Sequence, residues 1–126
     1  EFSCWKHGAL RDGMLDLCME TGTTPLAWSP FGGGIIGLSK EEAAQQENGG
    51  RLAAMIEALD SVANEQGVAR SSVALAWVLA HPAGILPIIG TQRTERIKES
   101  VQALDVQLDR ATWNAILIAA QGEPLP

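Results

Sequence analysis

Tyrosine is absent from this 126-residue chain, cysteine occurs twice, and nine Lys and Arg stand against fifteen Asp and Glu. Without tyrosine, no phenol is available to any chemistry the chain performs. Cys4 and Cys18 lack metal-ligand spacing and are too few to frame a disulfide scaffold, so a reduced, cytoplasmic chain is expected, with no bond between them. The formal net charge is −6 and the basic side chains are scattered among acids. That is the wrong footprint for phosphate backbones or an anionic bilayer, so neither a nucleic-acid nor a membrane partner is expected. No apolar run approaches the ~20 residues of a membrane span. The longest, Ser72–Ala80, is of helix-core length. An initiator methionine and a secretory profile are missing too, and the opening Glu1-Phe2-Ser3-Cys4-Trp5 reads as a chain cut in its middle.

What is present is globular. With 46% hydrophobic and 19% charged residues the chain has the makings of a core. Its length suits one small domain, roughly half of the about 250 residues that an eight-stranded α/β barrel needs. Residues 1–126 are therefore expected to form a single incomplete domain.

Helical periodicity comes first, with Leu10, Met14, Leu17 and Cys18 on one stripe over residues 9–21 and Gly22 as the stop. Thr24–Ser29 reads as a short strand beginning near Pro25. Residues 30–50 hold too many glycines for regular structure and form the one long loop, with room for a short helix inside it where Ser39 and Glu42 are spaced as a capping box. Leu52, Met55, Ile56, Leu59, Val62 and Ala63 mark an amphipathic helix over 51–66, ended by Gly67. Ser71 is expected to cap the next helix, whose body Val73–Leu79 is apolar all round until Pro82. Ile85–Ile89 is a uniformly apolar strand, expected to be covered on both faces as in a parallel sheet. Thr94 is expected to cap a helix with Ile97, Val101 and Leu104 inward, and Asp109 a last one with Trp113, Ile116, Leu117 and Ala120 inward. With a possible strand stub at residues 1–5, the order is that of an α/β fold.

Two segments carry a resemblance. Pro25-Leu26-Ala27-Trp28-Ser29-Pro30-Phe31-Gly32-Gly33 and, downstream, Ile85-Leu86-Pro87-Ile88-Ile89-Gly90-Thr91 with Glu95-Arg96-Ile97 resemble the C-terminal portion of the aldo-keto reductases. These are (β/α)8 TIM barrels that use NADPH to reduce aldehydes and ketones. The likeness is to a bacterial branch whose motif reads Trp-Ser-x-Leu-Gly-Gly-Gly, with Phe31 in the Leu place. It implies that residues 1–5 hold the end of the sixth barrel strand, 24–29 the seventh and 85–89 the eighth. The helices near 51–66 and 110–121 would be the family's two extra helices.

The same resemblance implies a cofactor, NADP, and its contacts. Trp28 would stack on the nicotinamide ring, Phe31 is a further cofactor-binding candidate, and Ser29 with the backbone of Gly32, Gly33 and Gly34 could donate hydrogen bonds to the pyrophosphate. Gly90 and Thr91 lead into a helix N-terminus that presents N–H groups and a positive dipole to phosphate. Arg96 would clamp the 2′-phosphate, with Glu99 and Ser100 near the adenine. Two departures matter: Gly90 stands where many members have a phosphate-binding Lys, and Ser100 where Asn is common. Trp5 and His7 are candidate substrate-pocket residues, and His81 reads as a helix C-terminal cation or cap. The simpler readings are a Trp28 packed under its loop, glycines serving only flexibility, and Arg93, Arg96 and Lys98 as a solvated face.

No catalytic residue is expected in this chain. The family's Asp, Tyr, Lys and His lie on earlier strands, and the absence of tyrosine means nothing here replaces the acid. The expected partners are a small carbonyl substrate and the missing N-terminal half of the barrel. Two other functions stay open: a non-catalytic, nucleotide-sensing regulatory barrel, and a phosphate-metabolite barrel such as an aldolase or isomerase, against which Trp28-Ser29 argues.

Overall fold

The computed structural model describes residues 1–125. After a 3-10 turn at Gly8–Leu10 the elements are α1 (Met14–Thr21), β1 (Leu26–Ala27), a 3-10 segment at Gly32–Gly37, α2 (Lys40–Ala44), α3 (Gly49–Gln66), α4 (Arg70–Leu79), β2 (Leu86–Pro87), α5 (Thr94–Gln102) and α6 (Arg110–Gln121). β1 and β2 pair in parallel with Leu26 opposite Leu86 and Ala27 opposite Pro87. Two flanking bonds extend the ladder, Leu86 N–H to the Pro25 carbonyl at 3.0 Å and Ile88 N–H to Ala27 at 2.8 Å. Residues 1–5 form bends rather than a strand. They still lie beside β1, where Phe2 N–H reaches the Trp28 carbonyl at 3.4 Å, while Phe2, Ser3 and Cys4 are buried.

The core sits between α3, α4 and α6. The whole expected stripe of α3 is buried, and α4 is buried from Ser72 to Val78, so its all-round apolar composition does mean contact on every side. α6 packs on α3 through Ile116, Leu117 and Ala120. Trp77 joins α4 to α6: its ring stacks on Trp113 at 4.5 Å, and each indole N–H donates to the other's backbone carbonyl, at 3.1 and 2.8 Å. Stacking two large rings while satisfying both N–H groups makes this a strong tie between helices.

Chain punctuation is largely as expected. Ser39 and Glu42 form the reciprocal capping box, Asp109 accepts from Thr112 N–H at 2.7 Å, and Gly22, Gly67 and Gly122 end their helices in the left-handed conformation. Gly49 has a different role. It opens α3 tight against the end of α2, where a Cβ would overlap the Ala44 carbonyl and stand 2.9 Å from that of Ala43. The corner between α2 and α3 needs the missing side chain.

Five expectations are corrected. The helix foreseen over 9–21 breaks at Gly13 (φ 81°), and α1 buries Leu15 and Cys18 while Met14 and Leu17 point outward. Ser71 and Thr94 do not cap: the cap positions belong to Ala69 and Arg93, neither of which makes a side-chain capping bond. Ile97 and Val101 on α5, and Leu104 just beyond it, are exposed instead of inward, with no described element covering that face. The strand at 85–89 shrinks to two residues and is not covered on both sides, with Ile85 buried but Leu86 53% and Ile88 49% exposed. His81 is no helix-end cation. Its ring lies between Phe2 and Trp113, its Nδ1 accepts from Ala83 N–H, and burial holds it below the ordinary histidine range.

Candidate functional site

A cavity of about 610 Å³ opens at the C-terminal ends of β1 and β2. One wall is the loop after β1, with Trp28, Ser29, Pro30, Phe31, Gly33, Gly34, Ile36 and Gly37. The other is formed by Ile88, Gly90 and Thr91 after β2, Arg96, Glu99 and Ser100 of α5, and Ser71 of α4. Nine of the ten residues singled out for cofactor binding thus share one concavity. The tenth, Gly32, is buried under the loop, with Ser3 Oγ and Trp5 Cβ each 3.6 Å from where its Cβ would stand. Trp28 is 56% exposed, so it is not packed under the loop.

The loop gets its shape from left-handed backbone. Ser29 adopts φ 52° although it has a side chain, a conformation that costs about 1–3 kcal/mol and persists where surroundings enforce it. Gly32 N–H donates to the Ser29 carbonyl at 2.8 Å, closing the turn. Gly33 and Gly34, at φ 68° and 98°, then carry the chain along the cavity wall.

Across the cavity, Thr91 Oγ1 accepts from Arg93 N–H at 3.2 Å and shapes the approach to α5. Arg96 is exposed and makes no ion pair among the described residues. Ser100 Oγ donates back to the Arg96 carbonyl at 2.8 Å, so the hydroxyl is engaged with its own helix. Glu99 is held twice from α4, by Ser72 Oγ donating to its backbone carbonyl at 2.8 Å and by Ser71 Oγ at 3.4 Å from its carboxylate. Sequence reading gave Ser71 a capping role and missed its place, with Ser72, beside Glu99, and it missed Arg70 next to them. The Arg70 guanidinium donates to both Asp60 oxygens at 2.6 and 2.7 Å and, through Nη1, to the carbonyls of Ile36 and Leu38 at 3.0 and 2.6 Å. The only sequence trace was an Arg-Ser-Ser run heading an otherwise apolar helix.

Trp5 and His7 are elsewhere. They line a separate depression of about 360 Å³ with Glu1, Lys6, Gly8 and Arg11. Arg51 lies 5.2 Å above the Trp5 ring, and His7 Nδ1 pairs with the Cys4 carbonyl at 3.0 Å. Burial lowers His7 below the ordinary histidine range, and Arg11 and Arg51 push the same way against that hydrogen bond. Burial pushes the Cys4 thiol up, so it stays protonated and unreactive. Cys4 and Cys18 are both free.

Apolar Trp28, Phe31, Ile36 and Ile88 suit a planar ring, and glycine backbone beside a helix N-terminus with a free guanidinium suits phosphate. These residues fit a nicotinamide dinucleotide. The cavity lining contains no His, Cys, Lys or Tyr, and its ionisable side chains are Arg96 and Glu99. Among the described residues no three His, Cys, Asp or Glu side chains gather as a metal site, and no helix is long and apolar enough to cross a membrane.

Comparison with known proteins gives the same direction. The pattern of the aldo/keto reductase family matches residues 2–120. The chain is 45% identical, over its full length, to a 6-dehydroglucose reductase of Novosphingobium aromaticivorans, of which it covers 39%. It is 28% identical over 82% of its length to the aldo-keto reductase yakc [NADP(+)] of Schizosaccharomyces pombe, covering 35% of that protein. Among solved structures, a thermostable aldo-keto reductase in complex with the inhibitor epalrestat superposes with a TM-score of 0.76 at 23% identity, over 94% of this chain and 38% of that one, which shows a common fold. The chain spans about two fifths of the length of the first of these relatives.

Proposed function

The chain belongs to the aldo/keto reductase family, and from that premise we propose that it is the cofactor-binding, C-terminal part of an NADP-dependent reductase of aldehydes or ketones. The observation that carries this is the cavity, which collects nine of the ten residues chosen from sequence alone. In this reading residues 1–126 are one incomplete barrel domain. Leu26–Ala27 and Leu86–Pro87 belong to the seventh and eighth strands, residues 1–5 lie beside β1 where the sixth would end, and α3 and α6 are the extra helices. A bound NADPH would supply the hydride. Trp28 would orient its ring, the backbone of the loop after β1 would hold its phosphates, and the N-terminus of α5 with Arg96 would take the 2′-phosphate. Glu99, fixed by two serines, stands at the adenine end with Ser100.

The proton must come from elsewhere, from a catalytic Asp, Tyr, Lys and His set on preceding strands. The substrate is a small carbonyl compound, and the first relative's name supports a polar sugar-like aldehyde. Trp5 and His7, in their own depression, are the candidate substrate-pocket side chains. A reduced cytoplasmic setting agrees with two free cysteines.

Two measurements test the proposal. The 126-residue chain mixed with NADPH and an aldehyde should consume no more cofactor than the blank, and clear substrate-dependent turnover would refute the missing-acid argument. In the natural protein with its upstream sequence, NADPH should bind more tightly than NADH, and equal affinities would remove NADP preference from the reading. Tight binding with no turnover in that longer protein would instead favour a nucleotide-sensing module.

A further inference from the structure

We propose that the first turn of α4, Arg70-Ser71-Ser72, is the positioning element of the cavity, holding the glycine-loop wall and the Glu99 wall in one fixed relation. The inference deepens the cofactor reading and rests on it for the identity of the ligand. The loop from Gly32 to Gly37 has four glycines, two of them in non-helical backbone within the 3-10 segment, so left alone it would sample many conformations. Its exit is tied down by one side chain. A half-buried guanidinium reaches Ile36 and Leu38 carbonyls on the loop and, with its other nitrogens, clamps Asp60 of α3 in a bidentate pair. Arginine alone has enough donors in a rigid fork to satisfy all four acceptors, and lysine at this place would reach only some of them.

The next two residues face the opposite wall. Ser72 is fully buried and spends its hydroxyl on the Glu99 backbone carbonyl. Ser71 itself lines the cavity beside Glu99. Because the three residues are consecutive on one rigid helical turn, the distance between the walls is set by α4 and not by the loop. α4 is in turn the most buried helix of the molecule. A ligand spanning both walls meets a cavity whose width is already fixed, and binding loses less to ordering of the loop.

The test uses the natural full-length protein. Arg70→Met keeps the aliphatic stem and removes all four donor contacts, and Asp60→Asn, outside the cavity, weakens the clamp without touching the loop. For Arg70→Met the KM for NADPH should rise about tenfold while kcat falls far less, the signature of lost ground-state positioning. Asp60→Asn should move the same way by a smaller factor, and Arg70→Lys should recover only part of the loss. Hydrogen exchange at the amides of Gly33–Leu38 should accelerate in both Met and Asn variants. If NADPH affinity and exchange are unchanged in folded variants, the proposal is overturned. Wild-type protein that binds no NADPH would refute the cofactor reading instead. The positioning role is then decided by exchange alone, where acceleration supports it and an unchanged rate overturns it.

Discussion

The layer formed by α3, α4 and α6 and the two-stranded face beside it draw on the same kinds of residues, yet they meet water very differently. In the helical layer Leu52, Met55, Ile56, Leu59, Trp77 and Ile116 are shut away almost completely. On the strand face Leu26, Trp28, Leu86 and Ile88 are about half exposed or more, and Met14 and Leu17 on α1, Ile97 and Val101 on α5 and Leu104 just after it are open as well. The helices find one another within the chain, α3 and α4 across a short connection and α6 by returning over both after β2 and α5. A two-stranded parallel sheet has only itself, and among the described residues no third strand pairs with it, only the single bond from Phe2 N–H to the Trp28 carbonyl lying beside β1. Hydrophobicity marks where burial is wanted; only the arrangement of partners decides where it is achieved.

The broadest way to break that comparison is to ask whether the open face is tolerated. Exposed apolar side chains next to unpaired strand edges favour association with other copies. The 126-residue chain alone should therefore scatter light as oligomers or aggregates, and a sharp monomeric peak with cooperative melting would show that the open face is stable as it stands. Side-chain deletion sharpens the contrast. Trp77→Ala should cost about 3–5 kcal/mol in chemical denaturation, having lost a fully buried ring, its stack on Trp113 and a hydrogen bond. Ile88→Ala, on the open face, should cost no more than about 0.5 kcal/mol in the same chain. Equal losses would mean that the strand face is covered in solution.

Arg96 tests the open side for function. In the natural protein, Arg96→Ala should weaken NADPH about tenfold to more than a hundredfold and leave NADH almost unchanged, as titration of both cofactors would show. Equal losses for the two would make Arg96 a folding residue. The smallest effect belongs to the closed side. His81 is held neutral by burial against Phe2 and Trp113, with only Asp16 acting in the opposite direction. Its folded pKa lies below the ordinary 6.5. Its contribution is therefore intact above that pH and fades as pH falls through the folded value, when a proton on Nδ1 displaces the Ala83 N–H bond. Melting temperature should drop on acidification below 6.5, and His81→Asn should flatten that drop in part, since His7 titrates in the same direction. An unchanged pH profile in His81→Asn would refute this role.

What sequence could and could not foretell follows the same division. The stripe of α3 and the apolar body of α4 were legible because helical periodicity and burial by local neighbours are one fact. Ile97, Val101 and Leu104 carry an equally clear stripe, but a stripe names a face and not the element that covers it. Ser71 was misjudged because serine is a good cap in any context, and here its hydroxyl points to Glu99 while the turn begins one residue before Arg70. The cavity residues were found through two short motifs after strands. Arg70 escaped because its partners, Ile36, Leu38 and Asp60, lie 34, 32 and 10 residues away and no pattern of residue types connects them.

Gly49 has a consequence for anyone who maps this protein by saturation mutagenesis. Since any side chain there collides with the backbone carbonyls of Ala43 and Ala44, every substitution forces the α2–α3 corner apart. Gly50, one position on, has nothing within 4 Å and should accept most residues. A selection that scores retained activity would rank position 49 with the cavity residues, although it touches none of them. Intolerance at that corner would record the closeness of two helices, and reading it as a ligand contact would draw the boundary of the site in the wrong place.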